Sequence, residues 1–347
     1  MLKRNISNFI ILDDKNINQA IIKLNKANPP ILFVVDQKKN YRGTITDGDI
    51  RRFILTKKPL TNKIINIVNK KSIICKIIDL EKKLNFFKNI IVQRNLKGIP
   101  VIKSKKICGL IFSSQKIERK TPIVIMAGGK GERLLPYTKN IPKSLIQINN
   151  KPIIQHIIEK IVNENFVNVF VSVNHYALQI KEYFKINKNF GLNINFIEEK
   201  KPMGTAGSLS LIDIKNIKNI IVINSDIMTN LKFNKVLNYH EENKYDITMG
   251  CMSHKYHMPF GIINLNNKKF NNVTEKPILS NLVSAGINIL SSNVINEIKK
   301  NNYLSMIDFI NSQSKKKKIG IFPMHEEWVD IGNKENLIIA RQKFRNI

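Results

Sequence analysis

The chain has 347 residues, 43% of them hydrophobic, which is enough for two or more domains with buried cores and excludes a disordered protein. Its formal charge of +31, from 57 Lys and Arg against 26 Asp and Glu, would ordinarily point to a polyanionic partner. Most of the excess is lysine scattered beside abundant asparagine and isoleucine, residues with A/T-rich codons, so composition accounts for it about as well as binding. No basic strand with interleaved aromatics is apparent, and neither nucleic acid nor membrane is expected as a partner.

Three cysteines, Cys75, Cys108 and Cys251, are too few for a disulfide framework and fit a reducing compartment. Met1 to Ile11 lacks the apolar core of a signal peptide, and no run of about 18 apolar residues could cross a bilayer, so a cytoplasmic protein is expected.

In chain order, "ILFVVDQKKNYRGTITDGDIRRFIL" predicts a strand at Ile31 to Val35, a polar turn, a strand at Gly43 to Thr46 and an amphipathic helix from Asp47. A second copy, "GIPVIKSKKICGLIFSSQKI", repeats the apolar run, lysine-rich turn, glycine and strand, with Gly109 standing 66 residues after Gly43. The polar stretch Ser114 to Pro122 then marks a boundary, giving a repeated domain over 1–117 (copies at about 1–62 and 63–117) and a second domain over 121–347. The duplicated unit resembles a pair of CBS domains, a small α/β module. That resemblance implies an adenosine nucleotide as ligand, with Thr46 and Asp49 against the ribose. The second copy carries Phe112 and Gln115 at the matching places, so at most one such site is complete, and weak or absent adenylate binding is expected. Asp47 and Asp49 are equally explained as caps of a helix N-terminus.

The second domain opens with a buried strand, Ile123 to Met126, followed by Ala127, Gly128, Gly129, Lys130 and Gly131. Successive backbone amides in such a turn cradle phosphate oxygens, and Lys130 and Arg133 add positive charge. No Gly-Lys-Ser/Thr follows at Walker spacing, and Leu134 stands where a dinucleotide fingerprint needs glycine, so ATPase and NAD readings fall away.

"GGKGERLLPYTKNIPKSL" resembles the signature of the sugar-1-phosphate nucleotidyltransferases, G-G-x-G-x-R-L-x-P-x-T followed by P-K-x-L, complete at each of those positions. Later segments agree in order: "EEKKPMGTAGSL" with Gly204, Thr205 and Gly207, "IIVINSDIM" with Asp226, "VTEKP" with Glu275 and Lys276, "VSAGINIL" with Gly286, and "EEWVDIGN" with Asp330. Ser225 and Ser284 depart from the family's usual glycine and asparagine.

The resemblance implies a Rossmann-like α/β domain with a mixed, mostly parallel sheet. It further implies a nucleoside triphosphate and a sugar-1-phosphate as substrates, Mg²⁺ as cofactor, and a homo-oligomer. Arg133, Lys143 and Asp226 would be catalytic, and Asp226 with Asp330 would hold the metal. Ala127, Gly128, Gly129, Gly131, Gly204 and Thr205 would bind the nucleotide; Gly207, Glu275, Lys276 and Gly286 would bind the sugar phosphate. The combination of a CBS pair with "HEEWVDIG" and "EEKKPMGTAGSL" is similar to the glucosamine-1-phosphate guanylyltransferases of legionaminic acid synthesis, with mannose-1-phosphate guanylyltransferase and glucose-1-phosphate thymidylyltransferase as alternatives. A nucleotide sensor with an inactive transferase domain is the alternative outside the enzymes. Cys251, His254 and His257 have a spacing that zinc could use, though no fourth ligand is near.

Overall fold

The computed structural model describes residues 2–3, 5–94, 96–112 and 119–345. Gln115 and the rest of 113–118, within the expected boundary, lie outside the described residues. The chain divides into two compact units, Met1–Lys116 and Ile117–Ile347.

In the first unit, strand Ile10–Leu12, helix Ile17–Lys26 and strands Ile31–Val35 and Tyr41–Thr46 recur as Cys75–Lys76, Leu80–Gln93, Ile99–Lys103 and Lys106–Ile111. In both copies the first two strands pair parallel and the last two antiparallel. Val34 stands opposite Gly43, Val101 stands opposite Gly109, and a register shift follows each. The short strand Leu2–Lys3 joins the second copy's sheet against Leu110 and Ile111. The unit has two apolar clusters, one around Phe33 and Ile45 that also takes in Leu110 of the second copy, the other around Ile99 and Phe87.

The second unit is built on strands that are apolar on both faces, the pattern of a sheet covered by helices on each side. Besides a short antiparallel pair at Gln147–Ile148 and Lys151–Pro152, its strands are β1 (Ile123–Met126), β2 (Asn168–Val173), β3 (Asn193–Glu198), β4 (Asn219–Asn224), β5 (Ile227–Thr229), β6 (Ile247–His257), β7 (Ile262–Asn266), β8 (Lys269–Thr274), β9 (Ile278–Ser291), β10 (Ile319–Met324) and β11 (Trp328–Asp330). Seven of them form one sheet in the order β3-β2-β1-β4-β9-β6-β10. The pairings β3·β2, β2·β1, β1·β4 and β6·β10 are parallel, while β4·β9 and β9·β6 are antiparallel.

Alternate residues of β1 and β4 go to opposite faces. Ile123, Ile125, Ile221 and Ile223 pack under α1 (Ile153–Asn163), α2 (Ala177–Ile186) and α3 (Phe233–Asn243). Val124, Ile220 and Val222 pack against Phe309 and Ile310 of α4 (Met306–Gln313). Burying each such side chain stabilises the fold by about 1.5 to 3 kcal/mol before entropy is counted, which makes β1 a rigid base for the loop that follows. The helix Lys334–Lys343, α5, closes a smaller core over β5 and β11 with Leu337 and Ala340.

The apolar run through "IIVINSDIM" is two strands, β4 ending at Asn224 and β5 starting at Ile227, with Asp226 in the turn between them. Residues Ile262–Asn266 pair with Lys269–Thr274 in a hairpin of their own. The zinc arrangement fails. Cys251, His254 and His257 lie along one extended strand with Cys251 buried and both histidines exposed, and a strand of that length separates Cys251 from His257 by roughly 20 Å.

Candidate active site

The buried strand β1 aims its C-terminal end at the glycine-rich turn, and the Ala127 amide anchors that turn by donating to the Ser172 carbonyl at 2.9 Å. At Gly128 a Cβ would stand 3.0 Å from Glu199 Oε1, so the missing side chain lets the loop run against that carboxylate. Gly131 has φ +71°, and a Cβ there would meet Thr138 Cγ2 at 2.9 Å and Lys143 Cβ at 3.2 Å. Thr138 locks the turn by donating from Oγ1 to the Gly131 carbonyl at 2.8 Å. The loop therefore runs from Glu199 at its Gly128 end to Lys143 at its Gly131 end.

Lys143 follows Pro142 in a short helical turn, and its Nζ lies 2.5 Å from Asp226 Oδ2. Asp226 meets Asp330 through a two-stranded ladder: β5 pairs antiparallel with β11, Ile227 stands opposite Asp330, and the Ile331 amide donates to the Asp226 carbonyl at 3.0 Å. Burial raises the pKa of Asp330, and the neighbouring Asp226 carboxylate raises it further, against the opposing pull of Lys143 and Arg133. Oδ1 of Asp226 and Oδ1 of Asp330 are both buried, and no described group hydrogen-bonds either. Two close carboxylates, each with an unpaired oxygen, fit a hard divalent cation such as Mg²⁺, which takes one or two carboxylates and completes its shell with substrate oxygens and water. Arg133 Nη1 lies 3.7 Å from the point where a Cβ on Gly332 would stand, and Asp330 Oδ1 lies 3.5 Å from that same point.

These groups border a cleft of about 530 Å³ lined by Ala127, Gly128, Gly129, Gly131, Arg133, Lys143, Gly204, Thr205 and Asp226. Asp330 stands behind Gly332, which does line it. Other expected residues stand elsewhere. Gly207 is buried, its missing side chain leaving room for the Asn302 carbonyl. Gly286, with φ +67°, backs Asn224, whose side-chain nitrogen would lie 2.8 Å from a Cβ. Glu275 and Lys276 are exposed between β8 and β9, outside the residues that line the cleft.

The lining also includes Asn174, Glu199 and Tyr303, which motif reading passed over. Glu199 accepts from Ser172 Oγ at Oε1 and from the Met203 amide, 2.9 Å away, at Oε2. Its position just upstream of "KPMGTAG" was the one available signal. In the first unit, Asp49 Oδ2 accepts from both the amide and the hydroxyl of Thr46 at 2.8 Å, and Asp49 Oδ1 pairs with Arg52. The expected ribose contacts are thus engaged with each other as a helix cap.

Residues 123–346 match the family model described as nucleotidyl transferase. The chain belongs to the nucleotidyl transferase family. The mannose-1-phosphate guanyltransferase of Yarrowia lipolytica is 27% identical over 223 residues, covering 62% of this chain and 61% of the relative. The chain thus spans about three fifths of that relative's length. The Drosophila melanogaster catalytic subunit beta of mannose-1-phosphate guanylyltransferase is also 27% identical, covering 63% of this chain and 61% of the relative. Among solved structures, a putative glucose-1-phosphate thymidylyltransferase of Bacillus anthracis shares the fold with a TM-score of 0.54 at 23% identity, covering 65% of this chain and 96% of that one. HddC of Yersinia pseudotuberculosis complexed with GMP-PN does so with a TM-score of 0.53 at 23% identity, covering 65% and 99%. Among the described residues, no helix is long and apolar enough to cross a membrane.

Proposed function

We propose that the protein transfers a nucleoside monophosphate from GTP to a sugar-1-phosphate, releasing pyrophosphate and forming a nucleotide sugar. An oxygen of the sugar phosphate attacks the α-phosphorus, and the bond from that phosphorus to the bridging oxygen of the leaving pyrophosphate breaks. Both reactants are anions, so the site must offset their repulsion and hold them in line; no protein nucleophile is needed because the attacking oxygen is already ionised. The observation that carries this reading is the convergence of Lys143, Arg133 and the Asp226–Asp330 pair at one end of the glycine loop.

In this reading the loop amides of Gly128 to Gly131 hold phosphate oxygens, and Arg133 steadies the leaving pyrophosphate. Lys143 exchanges Asp226 for the phosphate at the reacting centre. Asp226 and Asp330 would hold Mg²⁺, which when bound offsets phosphate charge and orients the triphosphate. Of the expected sugar-phosphate contacts, Gly286 has a place behind the cleft wall. Glu275 and Lys276 would have to come to the cleft with the strand ends that carry them.

The named guanyltransferase relatives and the GMP-PN complex of a structural neighbour support GTP. Glucosamine-1-phosphate is our first sugar; the curated relatives bring mannose-1-phosphate beside it as the second reading. We further propose that the first unit is a CBS-domain pair, on the matched strand order and register of its two copies. The test is a panel of triphosphates and sugar-1-phosphates with Mg²⁺, followed by pyrophosphate release. Turnover with GTP and an amino or manno sugar supports the reading, and no release with any pair overturns it.

A further inference from the structure

Tyr303 is 69% exposed, yet it lines the cleft from a segment tied down on both sides by backbone hydrogen bonds and close glycine contacts. The Leu304 amide donates to the Met203 carbonyl at 2.9 Å, and the Leu304 carbonyl accepts from the amides of Ala206 at 2.9 Å and Gly207 at 3.1 Å. Gly204 and Gly207 make that approach possible: a Cβ on Gly204 would stand 2.5 Å from the Leu304 carbonyl oxygen, and one on Gly207 would stand 2.5 Å from the Asn302 carbonyl oxygen. The Gly204 to Gly207 turn is therefore a clamp that fixes the backbone on either side of Tyr303.

The clamp sits at a defined end of the cleft. Met203, which accepts from Leu304, also donates to Glu199, and Glu199 borders Gly128. The cations and the paired aspartates gather instead near Gly131. Three residues of chain separate the two ends, at most about 11 Å. An aromatic side chain at the end of the cleft that lies away from Lys143, Arg133 and the paired aspartates, with the Glu199 carboxylate already held by Ser172 and the Met203 amide, has a natural occupant in the flat, apolar face of a nucleobase.

We propose that Tyr303 is a stacking platform for the base of the nucleoside triphosphate, held in place by the Gly204–Gly207 clamp. The proposal rests on the nucleotidyl transfer reading above. A ring that stacks contributes to binding of the base and not of the phosphates, and it serves before chemistry begins.

The test compares GTP with inorganic tripolyphosphate, which has no base, by titration calorimetry in Mg²⁺ on the full chain. Tyr303→Ala should weaken GTP about 10-fold, within the range that base stacking spans, while tripolyphosphate affinity stays within about 2-fold. Tyr303→Phe should recover most of the GTP affinity that Tyr303→Ala loses. Unchanged GTP affinity in Tyr303→Ala overturns the platform, as does an equal loss for both ligands, which would mark a general disturbance of the cleft. A wild-type protein that binds tripolyphosphate but no nucleoside triphosphate overturns the functional reading itself, a different result from either.

Discussion

The ammonium of Lys143 lies 2.5 Å from Asp226 Oδ2, although the two residues come from different segments of the second unit. The pair is mostly buried, so its attraction is little screened by solvent. In the proposed reaction it would hold Lys143 at the phosphate end until a substrate phosphate competes for it. Lys143→Ala should therefore lower kcat/KM for pyrophosphate release by roughly 100-fold, the scale of losing one preorganised charged donor at a reacting centre. Steady-state kinetics would check this, and a loss under 3-fold would remove Lys143 from the chemistry.

Asp330 gives a pH-dependent prediction. Burial and Asp226 raise its pKa in the folded protein, so the native state binds its proton more tightly than the unfolded chain does. For an acid with a raised folded pKa, stability falls as pH rises from the unfolded towards the folded value, and the penalty is complete above the folded value. Asp330→Asn should thus melt higher than wild type in EDTA at pH 7, and the gap should close below the ordinary carboxylate pKa near 4. Adding Mg²⁺ should raise the wild-type melting temperature and leave Asp330→Asn nearly unmoved.

His240 acts in the opposite direction. Burial lowers its pKa to about 4, and the ring sits among Thr248, Asn219 and Ser291, with Asp246 and Lys218 as the charged neighbours. A histidine held neutral in the fold contributes stability that is complete above its unfolded pKa of about 6.5 and is lost as pH falls towards 4. The loss should approach about 3 kcal/mol at the acid end. Denaturant melts between pH 7 and 4 would show it, and His240→Gln should flatten the slope.

The glycine clamp can be tested through stability alone. Gly204 has φ +75° as well as the close Leu304 carbonyl, so Gly204→Ala should cost about 2 kcal/mol or more. Gly207 lacks the unusual φ but faces the Asn302 carbonyl as closely, so its substitution should also destabilise, by about 1 to 3 kcal/mol. Chemical denaturation measures both.

In the first unit, Thr46 and Asp49 already satisfy one another and Arg52. Titration of the full chain with AMP should give no tight binding, and Asp49→Ala should lower stability by about 1 kcal/mol as a lost cap. Tight AMP binding that Asp49→Ala abolishes would return these residues to the ribose.

Local pattern was enough to place β1 at Ile123–Met126 and the strand Ile31–Val35, because each is a short apolar run ended by residues that break strands. The family resemblance, not local pattern, singled out Asp226 and Asp330, and the pairing of two short strands brings them together. Glu275 and Lys276 show where motif reading stops. Their surroundings depend on β6 and β9 running 11 and 14 residues with a register shift between Met249 and Cys251, a property of the sheet rather than of the motif. Gly207 and Tyr303 show a second limit. The contact that explains both is between segments distant in the chain, and no local spacing announces it.

In the proposed reaction Lys143, Arg133 and a metal held by Asp226 and Asp330 would together offset the charge of two anionic substrates. The most direct measurement is Mg²⁺-dependent pyrophosphate release from GTP and a sugar-1-phosphate by wild type, Arg133→Ala and Asp226→Ala, each first shown to be folded by circular dichroism. Asp226→Ala should fall by at least about 100-fold and lose its Mg²⁺ response, with Arg133→Ala falling about 10-fold or more. Wild-type rates in both folded variants would contradict this charge offset.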